Sequence, residues 1–141
     1  LVIELLEVSM AHASLKKYQQ TNKIAAEQAS PYQLVALLFQ KLLVNIATAK
    51  GAISQNDFDK KGNEISNAIA IIGVLEGSLD FEKGGEISSN LASLYTFCSE
   101  QLLVASTDNN VDKLEDIIQI LLPIKAGWDS IPLENQAKVS F

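Results

Sequence analysis

Apolar residues recur at helical spacing in four separate stretches of the chain. The rows are Val35, Leu42, Ala49 and Phe39, Ile46, Ile53; then Phe58, Ile65, Ile72, Leu79; then Ile87, Leu91, Leu94, Cys98, Leu102, Ala105; and last Leu114, Leu121, Trp128 and Ile117, Ile124, Ile131. Most of these rows keep a seven-residue step, which places them on one helix face and favours shallow, left-handed packing. We therefore predict an all-α fold, an antiparallel four-helix bundle.

Start and stop signals fix the helix limits at about 31–54, 58–80, 86–106 and 111–130. Ser30 is predicted to cap the first helix, with Pro31 at its first position and Gln33 completing a capping box. Asp57 is the predicted cap of the second helix. The pair Gly84-Gly85 is predicted to reverse the chain between the two central helices, because glycine adopts positive φ without steric cost.

The ends of the chain are less regular. Residues 11–29 are weakly periodic and predict one extra short helix at about 12–20. The segment 1–10 is set apart from the domain, and its residues 1–9 are interpreted as residues added before a natural start at Met10, or as an amphipathic extension covering an apolar groove. The domain is expected to span 11–131, followed by a flexible tail at 132–141. Pro123 is expected to kink the last helix, since proline removes a backbone hydrogen bond.

Two helices carry more apolar residues than one buried stripe requires. Leu34, Leu37 and Val44 form a second stripe on the first helix, interrupted by Lys41, and Ile71 and Val74 lie off the row of the second helix. Such a stripe can pack against the N-terminal segment or a second copy of the chain, giving a homodimeric module. The alternative is a groove that receives an apolar helix of a partner.

Composition argues against catalysis. The 141 residues carry a net charge of −6, and all the basic residues are lysines, so nucleic acid and anionic membranes are unfavourable partners. The lone His12 and the lone Cys98 cannot form a catalytic set or a metal site of usual composition. Cys98 lies on a core row and is expected to be a buried small hydrophobe. We predict a cytoplasmic protein that is not an enzyme, has no cofactor and does not insert into membranes.

Five ordered strings resemble the FliS family of flagellin export chaperones, over about residues 15–131. They are Tyr18-Gln19-Gln20-Thr21; Ala29-Ser30-Pro31-Tyr32-x-Leu34; Lys61-Gly62-Asn63-Glu64-Ile65; Leu79-Asp80-x-Glu82-Lys83-Gly84-Gly85-Glu86-Ile87 with Asn90-Leu91-x-x-Leu94-Tyr95; and Ala126-x-Trp128. Asn63 departs from the family's usual string. So does the pair Gln40-Lys41, which stands where the family usually has an acidic residue and a glycine.

The resemblance implies a cytoplasmic chaperone that binds the disordered C-terminal segment of flagellin, prevents early polymerisation and delivers the subunit to the flagellar export apparatus. It further implies that Tyr18, with Leu15 and Gln19 nearby, takes part in binding flagellin. The surplus apolar residues complete the predicted site: Leu34, Leu37, Val44, Ile71 and Val74. These five rest on periodicity and not on a motif.

Overall fold

The fold is a bundle of helices, seen in a computed structural model that describes residues 30–136. The helices are α1 (Pro31–Ser54), α2 (Phe58–Gly77), α3 (Phe81–Gly84), α4 (Glu86–Asp108), α5 (Val111–Asp129) and α6 (Leu133–Gln136). α1 packs against α2 and α5, and α4 packs against the same two helices. The four long helices therefore form a ring of antiparallel neighbours, which confirms the predicted fold class. The predicted short helix at 12–20 lies outside the described residues.

Side-chain caps begin three of the four long helices, at Ser30 and Asp57 as predicted and at Asn110, whereas α4 begins at Gly85 without one. The Ser30 hydroxyl accepts a hydrogen bond from the Gln33 N–H at 3.2 Å, and the Gln33 side-chain oxygen accepts one from the Ser30 N–H at 3.0 Å. The carboxylate of Asp57 caps α2 and the amide of Asn110 caps α5 in the same way. Each cap satisfies a backbone donor that the helix itself leaves without a partner.

The predicted rows supply most of the core. All six α1 positions are buried, and so are the central members of the other rows: Ile65, Ile72, Cys98, Leu102, Ala105, Leu114, Ile117 and Leu121. Cys98 is thus a buried residue, as expected. Tyr95, which lies beside the predicted α4 row, is also buried, because α4 turns a wider face inward than its apolar row indicated.

Two row positions at helix ends are exposed, contrary to the prediction. Phe58 is the first residue of α2, 47% exposed, and its ring lies 5.2 Å from the Lys61 ammonium instead of in the core. Ile87 is the second residue of α4 and is 70% exposed. Periodicity gives the direction of a side chain, but a helix end has fewer neighbours to cover it.

The connection between the central helices is longer than predicted. α2 ends at Gly77 and not near Asp80, and Asp80 instead caps the single turn α3 through a 2.9 Å hydrogen bond from the Lys83 N–H. Gly85 has φ +51°, so one glycine of the pair adopts the positive φ predicted for the chain reversal. The other, Gly84, is required for space, since a Cβ there would lie 1.8 Å from the Ser88 hydroxyl.

α5 continues past Pro123 to Asp129, and Trp128 fixes its end. The Trp128 ring stacks on Tyr32 with centroids 5.5 Å apart, and its indole N–H donates to the Tyr32 carbonyl at 3.0 Å. The tail predicted from residue 132 begins with the single turn α6.

Within residues 30–136, α1 is the one helix long and apolar enough to span a membrane by length and composition alone. Eleven of its 24 residues are buried inside the bundle. A buried core helix meets the same criteria, so this match is weak support for a membrane span.

Candidate functional site

The predicted site residues fall into three groups. Leu15, Tyr18 and Gln19 lie outside the described residues. Leu37 and Val44 are exposed on α1, and Val74 is half-buried on α2. Leu34 and Ile71, however, belong to the main core cluster. Leu34 precedes the fully buried Leu38 by one helical turn, so it shares that inward face.

A shallow groove between α1 and α2, which we call the outer groove, unites two of these predicted residues. Its volume is about 270 Å³, and it is lined by Leu38, Lys41, Asn45, Asn67, Ala70, Ile71 and Val74. Leu37 and Val44 lie on α1 outside this lining. The groove thus brings together the two predicted α2 residues, with Ile71 as its floor, and none of the three predicted residues of α1.

A larger apolar opening than the outer groove lies elsewhere, at the glycine hairpin, and was not predicted. This end cleft has a volume of about 550 Å³. Its walls are the start of α1, the end of α2, α3, the first turns of α4 and the last turns of α5. Apolar side chains dominate the lining and include Leu79, Ile87, Leu91, Ile124 and Ile131; Asp80 and Lys83 stand on the hairpin side.

The hairpin holds one wall of the end cleft in place. The buried Ser88 hydroxyl donates to the Asp80 carbonyl at 2.8 Å, and the Gly84 and Gly85 N–H groups donate to the Asp80 and Phe81 carbonyls. These bonds attach α3 to the first turn of α4. The end cleft lies between this hairpin and the neighbouring helix ends.

The last turns of α5 form the opposite wall. Pro123 and Gly127 both line the cleft, and a Cβ added at Gly127 would meet no atom within 4 Å. Small or short residues here leave space that a larger side chain would fill. The stack of Trp128 on Tyr32 keeps this wall attached to α1.

Ile87 marks the cleft most clearly. It continues the inward-facing row of α4 through Leu91 and Leu94, yet it is largely exposed. An inward residue that remains exposed requires an unfilled volume beside it, and Ile87 lines that volume. Its position next to the glycine pair, together with Pro123 and Gly127 in α5, was the sequence signal that could have indicated a cleft here.

Asn45 is the unusual polar residue of the outer groove. It is 2% exposed, and its amide nitrogen Nδ2 is buried without a hydrogen-bond partner. Buried donors are nearly always paired, and leaving one unsatisfied costs free energy. Lys41 and Asn67 stand on the same groove, and none of the described residues that line it is acidic.

The titratable groups of the core are inert. Burial raises the pKa of the Cys98 thiol to about 11, so it remains protonated and unreactive near neutral pH. Burial, with a smaller contribution from Cys98, also raises the pKa of Tyr95. Within residues 30–136, no group of three His, Cys, Asp or Glu residues could hold a metal ion. The described surface thus offers apolar grooves, as in a helical-bundle binding protein.

The chain belongs to the FliS family, described as "Flagellar protein FliS", which matches residues 14–135. The flagellar secretion chaperone FliSB of Pseudomonas aeruginosa is 38% identical over 86% of this chain and 97% of its own length. The flagellar secretion chaperones FliS of Salmonella typhimurium and Vibrio cholerae are 36% and 34% identical, each over 84% of this chain and over 90% and 86% of their own lengths. This confirms the resemblance and identifies a family of chaperones, not of enzymes.

Proposed function

We propose that this chain is a cytoplasmic flagellar secretion chaperone that binds the disordered C-terminal segment of flagellin. Binding would prevent premature polymerisation, and the complex would then be delivered to the flagellar export apparatus. Membership of the FliS family supports the chaperone role. The single structural observation that carries the binding role is the open, apolar end cleft with Ile87 exposed at its mouth.

Apolar anchoring suits a disordered client. Burying one large apolar side chain contributes roughly 1.5–3 kcal/mol. Ordering a segment on binding costs free energy, so several anchors are needed to offset it. The end cleft offers several apolar contacts in one place. A client whose apolar residues are held there cannot use them for association with other subunits.

A client segment can reach both surfaces. A helix of about 40 residues is about 60 Å long, whereas the 24-residue α1 is about 36 Å long. Such a segment exceeds the bundle and must bend around it. We therefore assign its strongest apolar anchors to the end cleft and further contacts to the exposed side of α1 and to the outer groove, where Leu37, Val44 and Val74 lie. Ile71, and Leu34 beneath the same face, contribute as the floor of this region.

Calorimetry with a peptide of the last ~40 residues of flagellin tests the proposal. Ile87→Asp places a charge in the cleft without burying it in the core, and we expect at least a tenfold loss of affinity with little change in stability. Leu103→Asp is the matched control, since Leu103 lies on the same helix, is 58% exposed and does not line the cleft. Equal affinity of both variants and the wild type would remove the end cleft from the site.

The outer surface is tested separately. Val44→Asp and Val74→Asp should each weaken peptide binding while the bundle stays folded. Tyr18→Ala should do the same with an almost unchanged thermal midpoint, as the family resemblance implies. If Tyr18→Ala lowers stability but leaves affinity unchanged, Tyr18 is a structural residue and not part of the site.

A homodimeric interaction module is the second candidate, because the apolar surfaces could instead pair with a second copy. Light scattering with and without the flagellin peptide distinguishes the two. A chaperone should form a complex of one chain with the peptide. A stable dimer that ignores the peptide would contradict the chaperone proposal.

A further inference from the structure

Two large apolar side chains of α4 remain exposed on the side of the helix that is turned away from α2. Phe97 is 45% exposed and Val104 is 39% exposed. The preceding residue, Thr96, donates a hydrogen bond to the Glu76 carboxylate at 3.4 Å and so marks the α2 side of α4. Phe97 and Val104 are seven residues apart and lie together on the other side, towards α5. Neither lines the end cleft or the outer groove.

α5 completes this strip from the opposite wall. Glu115 contacts Lys50 of α1 and therefore marks the side of α5 that faces α1. Ile120 lies across the helix from Glu115, on the side towards α4, and is partly buried against the core. The strip formed by Phe97, Val104 and Ile120 is called here the α4–α5 seam. It lies on the opposite side of the bundle from the outer groove, which is formed by α1 and α2.

Exposed acidic residues border the seam. Glu100 lies between the two apolar residues of α4 on the same face, and Asp108 follows one turn after them. Asp112 and Asp116 are exposed on successive turns of α5. Lys113 is the single basic residue between positions 94 and 120. The seam is therefore an apolar strip with a strongly acidic border.

Ion pairs among the described residues do not neutralise this border. The salt bridges found within residues 30–136 are Lys50–Glu115 and Lys125–Asp129. An exposed apolar strip beside charge of one sign is complementary to an amphipathic surface of the opposite sign. A second copy that presented the same seam would bring like charges together, and nucleic acid and anionic lipid are unfavourable for the same reason.

A helix suits the shape of the seam. The groove between two adjacent helices receives the side-chain ridge of another helix. Phe97 and Val104 lie about 10 Å apart along α4, which matches apolar residues at positions i and i+7 of such a helix. Lysine or arginine residues on either side of its apolar stripe would lie beside the acidic border of the seam.

We propose that the α4–α5 seam docks an amphipathic helix of a second protein, one that carries Lys or Arg residues beside its apolar stripe. The seam lies outside the end cleft and opposite the outer groove. The second protein and the client of the proposed function can therefore be bound at the same time. Flagellin binding is not required for this docking.

The probe is a labelled synthetic helix of about 18 residues, with leucines at positions i, i+3, i+4 and i+7 and with lysines and arginines beside them. Two matched peptides carry glutamates in place of the basic residues, or the same residues in scrambled order. Fluorescence anisotropy is measured on the full chain, with and without saturating flagellin peptide. The basic helix should bind roughly tenfold more tightly than either matched peptide in both conditions, and added salt should weaken it.

Equal affinity for the three peptides would overturn the proposal. Displacement of the basic helix by the flagellin peptide would also overturn it, since the seam would then belong to the path of the client. The proposed function would stand in that case. If the flagellin peptide fails to bind but the basic helix binds as expected, the proposed function is wrong and the docking surface remains.

A pair of neighbouring residues tests the apolar part of the seam. Val104→Ser should weaken binding of the basic helix roughly tenfold, because an apolar anchor is lost. Leu103→Ser is the matched control, since Leu103 is also exposed on α4 but lies on the side of α2. Circular dichroism should show both variants folded. Equal affinities of the two variants would remove the seam from the docking surface.

A second pair tests the acidic border. Asp112→Asn combined with Asp116→Asn should weaken the basic helix roughly three- to tenfold and reduce its dependence on salt. Asp59→Asn combined with Glu64→Gln is the control, because these α2 residues change the net charge equally and lie away from the seam. Equal losses in both double variants would mean that the overall charge attracts the probe, and the proposal would fail.

Two other occupants of the seam are distinguished by separate measurements. A wild-type dimer in light scattering that Val104→Ser dissociates would assign the seam to a second copy of the chain. The chain's own residues 11–29 include Lys16 and Lys17. If Lys16→Gln with Lys17→Gln strengthens binding of the basic helix more than Lys60→Gln does, that segment occupies the seam. Either result would overturn docking of a second protein.

Discussion

The two ends of the bundle are built differently. At the end formed by Asn56 and Asn109, which we call the asparagine end, Ala49, Ala52 and Ala105 are buried and let the helices approach closely. At the opposite end, the glycine end, the hairpin at Gly84-Gly85 and the C-terminal half of α5 leave a cleft of about 550 Å³.

The side-chain contacts that join the helices also differ between the two ends. The asparagine end is tied by side chains that cross between helices: the Lys61 ammonium donates to the Ser106 carbonyl at 2.8 Å and to the Asn109 side chain at 2.7 Å. At the glycine end, α5 is joined to α1 by the stack of Trp128 on Tyr32 and by the hydrogen bond from the Trp128 indole N–H to the Tyr32 carbonyl. The comparison indicates that the helices pack more closely at the asparagine end than at the glycine end, so mutations at the two ends should have different effects on stability.

The largest effect is expected in the closed part of the core. Leu102 is fully buried, so Leu102→Ala should lower the free energy of unfolding by about 2–5 kcal/mol. Its neighbour Leu103 is exposed, and Leu103→Ala should change stability by less than about 0.5 kcal/mol. Urea unfolding of both variants checks the pair. Similar losses at both positions would contradict the described register of α4.

The second-largest effect on stability is expected at the glycine hairpin. Gly85 has φ +51° and ψ −121°, a conformation that strains any residue with a Cβ, so Gly85→Ala should cost about 1–3 kcal/mol. Gly51 is exposed in the last turn of α1 with open space around it, and Gly51→Ala should instead stabilise by up to about 1 kcal/mol. The same urea measurement compares them. A gain of stability in both variants would mean that the hairpin is not constrained as described.

Weakening the attachment of α5 to α1 should cause a smaller loss of stability. Trp128→Phe keeps an aromatic ring against Tyr32 but removes the donor to the Tyr32 carbonyl, and should cost about 1 kcal/mol. Hydrogen exchange should increase in the last turns of α5 and stay unchanged at the asparagine end. Leu122→Ala, an exposed change on the same helix, serves as the control. Uniform faster exchange across the bundle would argue against separate behaviour of the two ends.

The smallest expected effect lies near the asparagine end. Hydrogen bonds from Lys50 and then from Gln119 lower the pKa of Glu115. A lowered carboxyl pKa stabilises the fold above the pKa of the unfolded state, and this contribution is lost as pH falls through the folded pKa. The wild type should therefore slightly exceed Glu115→Gln in stability at pH 7, and the difference should vanish toward pH 3. A difference that grows at low pH would reverse this assignment.

Local rules in the sequence accounted for much of the fold. The capping residues, the turn residues and the seven-residue rows depend on neighbours within a few positions, and they located α1 and the beginnings of α2, α4 and α5. They failed where helices end. The row positions Phe58 and Ile87 are exposed because no partner helix extends over them.

The site was predictable to a lesser degree. Periodicity separated Val44, exposed on α1, from the buried rows, but it also assigned Leu34 and Ile71 to the surface. How much of a helix is buried depends on the number of neighbouring helices and on their packing angles. Neither can be predicted from the sequence of that helix alone. The end cleft is a space between five segments and was missed for the same reason.

By itself the sequence determined the helices, their caps, the glycine hairpin and the family, because each depends on short, ordered strings of residues. Only the tertiary structure decided that the helices close at the asparagine end and separate at the glycine end. It also decided that Ile87 opens into a cleft and that the buried Asn45 amide has no partner. Those properties arise from packing between residues distant in the chain, where small differences in volume decide which spaces are filled.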